Sequence, residues 1–196
     1  ILLKKTPPED PRYRYVKAIT AEVDRLQRMI NNIYRLKTLT LKRKVYFSAN
    51  RMVRQVLQAK TGGLSARKIT ISLDLEPGDT KLLVDPSHFK MGLANIVQNA
   101  IDAMPEGGKV TIMTRCAPEH YHIHVLDTGC GIREEHLRFI FDPFFTSKME
   151  GTGLGLTFAL KVIQDHGGTI SVRSTAGIGT QVVVECPLPE TPTDTR

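Results

Sequence analysis

An α+β fold is what this sequence predicts: a two-layer α/β sandwich whose mixed, mainly antiparallel sheet is covered by three helices, with one long helix ahead of it. Three observations lead there. Short β-branched stretches alternate apolar and polar residues, as in Ile69 to Leu75 (ITISLDL), which is the period of a half-buried strand. Amphipathic helical stretches are interspersed among them but not one for one, so a regular βαβ wind is excluded. Finally, Val16, Ile19, Val23, Leu26, Ile30 and Ile33 recur at steps of three and four, which is a heptad seam.

In chain order, Asp10 and Pro11 open the first helix, with a side-chain cap and a proline suited to the first turn. Its seam is narrow and flanked by Glu22, Asp24, Arg25, Gln27, Arg28 and Asn31, which suits pairing with another helix better than burial all round. The basic run Arg35 to Lys44 follows as a linker. Val45 to Phe47 reads as a short strand, and Ser48 caps a helix that reaches about Lys60, where Thr61, Gly62 and Gly63 stop it. After the strand Ile69 to Leu75, Pro77 and Gly78 turn the chain into a strand at Leu82 to Val84. Asp85 and Pro86 then start a long helix that ends at Pro105 to Gly108. Strands at Val110 to Arg115 and His120 to Leu126 follow, then a glycine turn and a short helix from Glu134 to about Ile140. An aromatic loop spans Phe141 to Lys148, and a second glycine turn leads into a helix from Leu156 to His166. Ile170 to Ser174 and Gln181 to Cys186 close the chain as a hairpin, and a polar tail follows Pro187.

With 196 residues and 41% hydrophobic content, the chain can bury one well-cored domain and carry an appendage. No apolar run approaches the roughly 20 residues needed to cross a bilayer, so no membrane contact is expected. Three cysteines without C-x-x-C spacing argue against a disulfide framework or a zinc site, and a reducing, cytoplasmic setting is expected. The net charge of +7 invites a nucleic-acid reading, but the basic run lacks stacking aromatics, and no nucleic-acid partner is expected.

The chemistry concentrates in a few stretches. On the helix from Pro86, His88, Gly92, Asn95, Asn99 and Asp102 form one stripe, opposite Phe89, Leu93, Val97, Ala100 and Met104. Asparagines one turn apart weaken a helix, so they are either a solvated face or the wall of a site. Asp127, at a strand end, is an acceptor suited to an exocyclic amine, while Gly129 and Gly131 let backbone approach a flat ring. Taken alone, such a stretch is simply a turn. Gly151 to Leu156 (GTGLGL) opens directly into a helix, where free amides favour phosphate. Its spacing and the absence of a preceding strand exclude a dinucleotide fingerprint. His120, His122 and His124 share one strand face without an evident fourth ligand, which makes a solvated face the expectation. His166 falls at a helix C-terminus, where positive charge is favourable.

Together these stretches resemble a known set. NIVQNAIDAM (95–104) is similar to an N box, DTGCGI (127–132) to a G1 box, FDPFFTSK (141–148) to an F box, GTGLGL (151–156) to a G2 box and GIGT (177–180) to the last glycine box. In that order they resemble the ATP-binding catalytic domain of sensor histidine kinases, within the GHKL superfamily, over roughly Val45 to Pro187. The resemblance implies ATP and Mg²⁺ as cofactors. It implies that Asn99 binds the metal through its amide oxygen, with Asn95 beside the metal or its waters. Asp127 would read adenine N6, Gly129, Gly131 and Ile132 would shape that pocket, and Thr180 would support the base through water. Gly151, Thr152, Gly153, Leu154, Gly155 and Leu156 would hold the triphosphate under a lid anchored by Phe144 and Phe145. Lys148 would neutralise γ-phosphate charge, making Asn95 and Lys148 the expected catalytic residues. Asp102 would either touch water near the phosphates or face solvent.

Only Met149 and Glu150 separate Lys148 from Gly151, and EVDRL (22–26) lies in the first helix. Both features resemble the nitrogen-regulation class of these kinases. Residues 1–40 would then be part of the dimerisation and phosphotransfer hairpin, 41–190 the ATP-binding domain and 191–196 a disordered tail. A homodimer through the hairpin and a response-regulator receiver domain are the implied partners. None of the six histidines has the H-[ED]-x-x-x-P setting of a phospho-acceptor. The acceptor is therefore expected outside this stretch, in a parent that could be membrane-anchored, and the 196 residues are expected to bind Mg·ATP without phosphorylating themselves. A regulatory nucleotide-binding module and a GHKL switch ATPase or anti-sigma-type serine kinase are the alternative readings.

Overall fold

The computed structural model describes residues 6–37, 43–60, 68–148 and 151–189. A long helix α1 (Tyr13–Lys37) is followed by β1 (Val45–Ser48), α2 (Ala49–Gln58), β2 (Ile69–Asp74), β3 (Lys81–Val84) and α3 (Pro86–Asp102). Then come β4 (Gly108–Cys116), β5 (His120–Asp127), the short α4 (Glu134–Leu137), α5 (Gly155–Asp165), β6 (Thr169–Thr175) and β7 (Gly179–Pro187). The main sheet has five strands in the order β2-β4-β5-β7-β6; β2 runs parallel to β4 and the other pairs are antiparallel. β1 and β3 form a separate antiparallel pair.

Alternation decides which face of the sheet is covered. Val110, Ile112, Tyr121, Ile123, Val125, Val182 and Val184 are buried, and they pack with Phe89, Leu93, Ile96 and Val97 of α3, Met52 and Val53 of α2, and Ala159 and Ile163 of α5. Burying each large apolar side chain stabilises the fold by roughly 1.5–3 kcal/mol. His120, His122 and His124 fall on the other face by the same alternation. There His120 and His122 approach Glu185 at 3.6 and 3.7 Å, and the His124 ring contacts the Gln181 amide at 3.3 Å. Among the described residues no His, Cys, Asp or Glu cluster could hold a metal ion.

The caps expected at Ser48 and Asp85 form, whereas α1 starts at Tyr13, past Pro11, and the Asp10 carboxylate accepts from the Arg12 amide ahead of it. Ser48 accepts from the Arg51 amide, and Asp85 accepts from those of Ser87 and His88. Gly92 departs from the expected polar stripe: it is buried where α3 crosses α5, and a Cβ there would lie 3.2 Å from the Val162 side chain. The short helix ends earlier than expected, because the amides of Phe139 and Asp142 bond three residues back and tighten the chain into successive turns. The stop expected at Thr61 to Gly63 lies outside the described residues.

One polar cluster gave no sequence signal. The hydroxyls of Thr114 and Tyr121 both donate to Asn50 Oδ1 (3.0 and 2.9 Å), while the Asn50 amide donates to the Glu76 carbonyl at 2.7 Å. Every member is paired, so the cluster fastens the start of α2 to the sheet without an orphaned polar group.

The seam of α1 stays open. Ile19, Val23, Leu26, Ile30 and Ile33 are all exposed, Ile30 to 65%. The helix meets the sandwich near its C-terminal end, where the Asn32 amide donates to Thr152 Oγ1 at 3.2 Å. No helix among the described residues is long and apolar enough to cross a membrane.

Candidate functional site: a cavity between the long helix and the glycine turns

A cavity of about 480 Å³ opens between α3, the end of β5 and the start of α5. Asn99, Asp127, Gly131, Ile132, Lys148, Gly151, Thr152, Gly153, Gly155, Leu156 and Thr180 line it, so most of the expected residues converge on one space. Three do not reach its wall. Asn95 is half-buried against the beginning of α5, with its side chain 3.9 Å from where a Cβ on Gly155 would stand. Leu154 is buried to 1% exposure, because the turn directs its side chain inward and leaves only the neighbouring glycines facing the space. Gly129 sits beneath the end of α3, where a Cβ would collide with Ala103.

At one end stands Asp127. Its Oδ1 accepts from the Gly129 amide at 2.9 Å. Burial pushes its carboxyl above the ordinary value of 3.8, with the amides of Gly129 and Thr180 and the charge of Lys148 acting in the opposite direction. Gly131 turns the chain at φ +65°, a conformation that strains any other residue.

At the other end, Lys148 Nζ lies 3.4 Å from Asn99 Oδ1 and 3.6 Å from Asp102 Oδ2. Asp102 therefore lines the cavity beside a cation, and it also accepts from the Gln98 amide at 2.8 Å. α5 begins at Leu154 without a side-chain cap, so its first amides are available to an anion. Gly153, at φ +67°, passes so close to Phe144 that any Cβ would collide with the Phe144 backbone. The Phe144 amide donates to the Gly153 carbonyl at 3.0 Å, and Phe144 itself takes a left-handed φ of +69°. Phe144 is exposed and no core aromatic, whereas Phe145 packs against Phe139 and His136 and lines the cavity.

Two histidines have structural partners. His88 Nδ1 lies 2.8 Å from Asp85 Oδ2. His166 corrects the expectation of positive charge: it is buried, its Nε2 accepts from the Asp85 amide at 2.9 Å, and its Nδ1–H donates to the Val162 carbonyl at 2.7 Å. Burial holds its pKa below the ordinary 6.5, outweighing the helix terminus.

Sequence reasoning missed Asn31 and Asn32, which line the cavity from α1, and Ser174, which joins the two glycine turns. A hairpin register counted back from Gly177 would have set Ser174 opposite Thr180; nothing in the sequence marked the two asparagines.

An acceptor carboxylate at one end, a cation over an amide at the other, uncapped helix amides and a cavity of this size together fit a purine triphosphate. The amide oxygen of Asn99 is a hard donor suited to Mg²⁺, which binds few protein ligands when phosphates supply the rest. The chain belongs to the family of histidine kinase-, DNA gyrase B- and HSP90-like ATPases, whose family model matches residues 84–190. Within it, the catalytic domain of the histidine kinase ThkA in a nucleotide-free form superposes with a TM-score of 0.69 at 32% identity, over 75% of this chain and 97% of that one. ThkA in complex with the response regulator TrrA gives a TM-score of 0.78 at 28% identity, over 95% of this chain and 54% of that one. The sensor histidine kinase ZraS of Klebsiella oxytoca is 29% identical over 177 residues, which are 90% of this chain and 38% of ZraS. The chain spans about two fifths of the length of the curated relatives it matches.

Proposed function

We propose that this chain is the ATP-binding kinase core of a sensor histidine kinase of a two-component system. The observation that carries this reading is the convergence of Asp127, Asn99, Lys148 and the uncapped start of α5 on one cavity. Asp127 accepts from the exocyclic amine of adenine, and the residues from Gly151 to Leu156 receive the triphosphate. Lys148 moves from the Asn99 amide to the phosphate charge, which it neutralises as that charge redistributes in transfer. Asn99, supported by Asn95, would hold Mg²⁺, which would supply positive charge to offset that of the triphosphate. The protein's contribution is positioning and charge stabilisation.

The γ-phosphoryl passes to a histidine supplied by a helical hairpin, to which residues 1–40 contribute the second helix, and from there to a response-regulator aspartate. Residues 41–190 form the nucleotide-binding domain. The open seam of α1 supports the hairpin and a homodimer through it, and the two-residue spacing between Lys148 and Gly151 supports the nitrogen-regulation subclass. None of the histidines here has the acceptor setting, so this chain acts on a histidine outside it.

Two measurements test the reading. Calorimetry with ATP is expected to give saturable binding that strengthens with Mg²⁺; a flat titration overturns it. With γ-labelled ATP and a histidine-bearing hairpin from a relative, acid-labile label is expected on the hairpin. Release of free phosphate alone would count against transfer.

A further inference from the structure

A chain of polar contacts runs from the end of α2 across α3 and finishes at the Lys148 end of the cavity. Lys60, just past α2, donates to Gln98 Oε1 at 2.8 Å, and Gln98 Nε2 donates to Asp102 Oδ1 at 2.8 Å. An ammonium can only donate, so the Gln98 oxygen faces Lys60 and its amide nitrogen faces Asp102. One carboxylate oxygen of Asp102 is thereby held, and the other, Oδ2, lies 3.6 Å from Lys148 Nζ. The same ammonium stands 3.4 Å from Asn99 Oδ1, a hard donor suited to a divalent ion. An amide oxygen and a carboxylate oxygen thus converge on one cation, and that cation is a side chain.

We propose that Asp102 is a positioning residue: it holds the Lys148 ammonium over the oxygens that would seat the divalent ion, so that a metal ion alone is kept out until a triphosphate draws the lysine away. The inference rests on the ATP reading above and deepens it. A divalent ion bonded to Asn99 Oδ1 would lie beside the ammonium, and like charges that close repel strongly in a partly enclosed space. Neither contact of Lys148 is tight, and its side chain is 39% exposed, so phosphate oxygens can take over the ammonium without breaking a buried bond. Its departure uncovers the oxygens of Asn99 and Asp102 together, which couples entry of the ion to arrival of the nucleotide. The Gln98 bridge keeps the Asp102 carboxylate turned toward the cavity throughout.

The test uses Mn²⁺ in place of Mg²⁺ and no nucleotide, and follows binding by the loss of the free-ion electron paramagnetic resonance signal. The wild type and Lys148→Arg, which both keep a cation over the seat, are expected to bind Mn²⁺ at least about tenfold more weakly than Lys148→Met. Adding Asn99→Ala to Lys148→Met is expected to abolish the gain, as is adding Asp102→Asn. The first of these changes no charge, so a general shift in surface potential would leave the gain in place. An absent gain, a gain that survives either second substitution, or a Lys148→Arg variant that binds like Lys148→Met overturns the inference. Should the Asn99→Ala double variant lose its cooperative melting transition, the Asp102→Asn one decides, since the Asp102 side chain is partly exposed. Calorimetry of the wild type with Mg·ATP keeps the two readings apart: binding there without any Mn²⁺ gain in Lys148→Met sinks this inference alone, whereas no ATP binding removes the reading on which it rests.

Discussion

The two ends of α3 carry similar side chains and put them to opposite uses. At the N-terminal end, Asp85 caps the helix, pairs with His88 and offers its amide to His166, so a carboxylate and two imidazoles are tied to named partners at 2.8–3.2 Å. At the C-terminal end, Asn99 and Asp102 face a cavity, and the nearest cation, Lys148, stands at 3.4 and 3.6 Å. Tight, buried partners hold a fold together. Long contacts on a cavity wall leave groups ready for exchange, since their partner can move to a ligand without orphaning anything buried.

The comparison breaks most visibly at Asn99. Replacing it with Ala is expected to weaken Mg·ATP binding by on the order of a hundredfold while the melting temperature stays put; calorimetry and thermal melting check the two halves. Equal losses in both would mean that this end is structural too. At the opposite end, His166→Ala strands the Asp85 amide and the Val162 carbonyl, and the expected cost is about 1–3 kcal/mol of stability with ATP affinity unchanged. Denaturant titration reads the first and calorimetry the second.

Acid sharpens the contrast further. The pKa of His166 is held below 6.5, so the unfolded chain binds the proton more readily. Its contribution to stability is complete above 6.5 and is lost as pH falls from 6.5 toward the folded value. Asp127 has the opposite sign: its carboxyl is raised above 3.8, so stability from this group rises as pH falls toward 3.8. Nucleotide binding through the carboxylate is expected to weaken over that same window. A Mg·ATP affinity with no downturn until ordinary carboxylate pH would remove Asp127 from the base pocket; Asp127→Asn is expected to flatten the profile at low affinity. The smallest effect is expected where α1 touches the second glycine turn. Asn32→Ala removes one half-buried hydrogen bond to Thr152, and a change in ATP affinity of no more than a few-fold is expected.

Much of the site was legible because it is built from short, contiguous stretches. Glycine turns, the asparagine pair and the strand-end aspartate each announce a local backbone need, and their order along the chain carried the rest. The direction of the Leu154 side chain and the burial of Gly92 were not legible because a turn and a helix crossing decide which way a residue points, and neither is visible one residue at a time. His166 was misread because proximity to a helix end is local, whereas the burial that outweighs it comes with packing against Phe89 of α3 and the bond from the Asp85 amide, 81 positions earlier in the chain.

The sequence by itself determined the elements, the caps at Ser48 and Asp85, and the presence of a nucleotide-type residue set, since period, capping and turn chemistry act over a few residues. Tertiary structure alone decided that Lys148 waits beside Asn99, that α1 brings Asn31 and Asn32 to the cavity, and that Ser174 stands opposite Thr180. Each of these depends on groups far apart in the chain or on adjacent strands, whose distances are set by packing and sheet register.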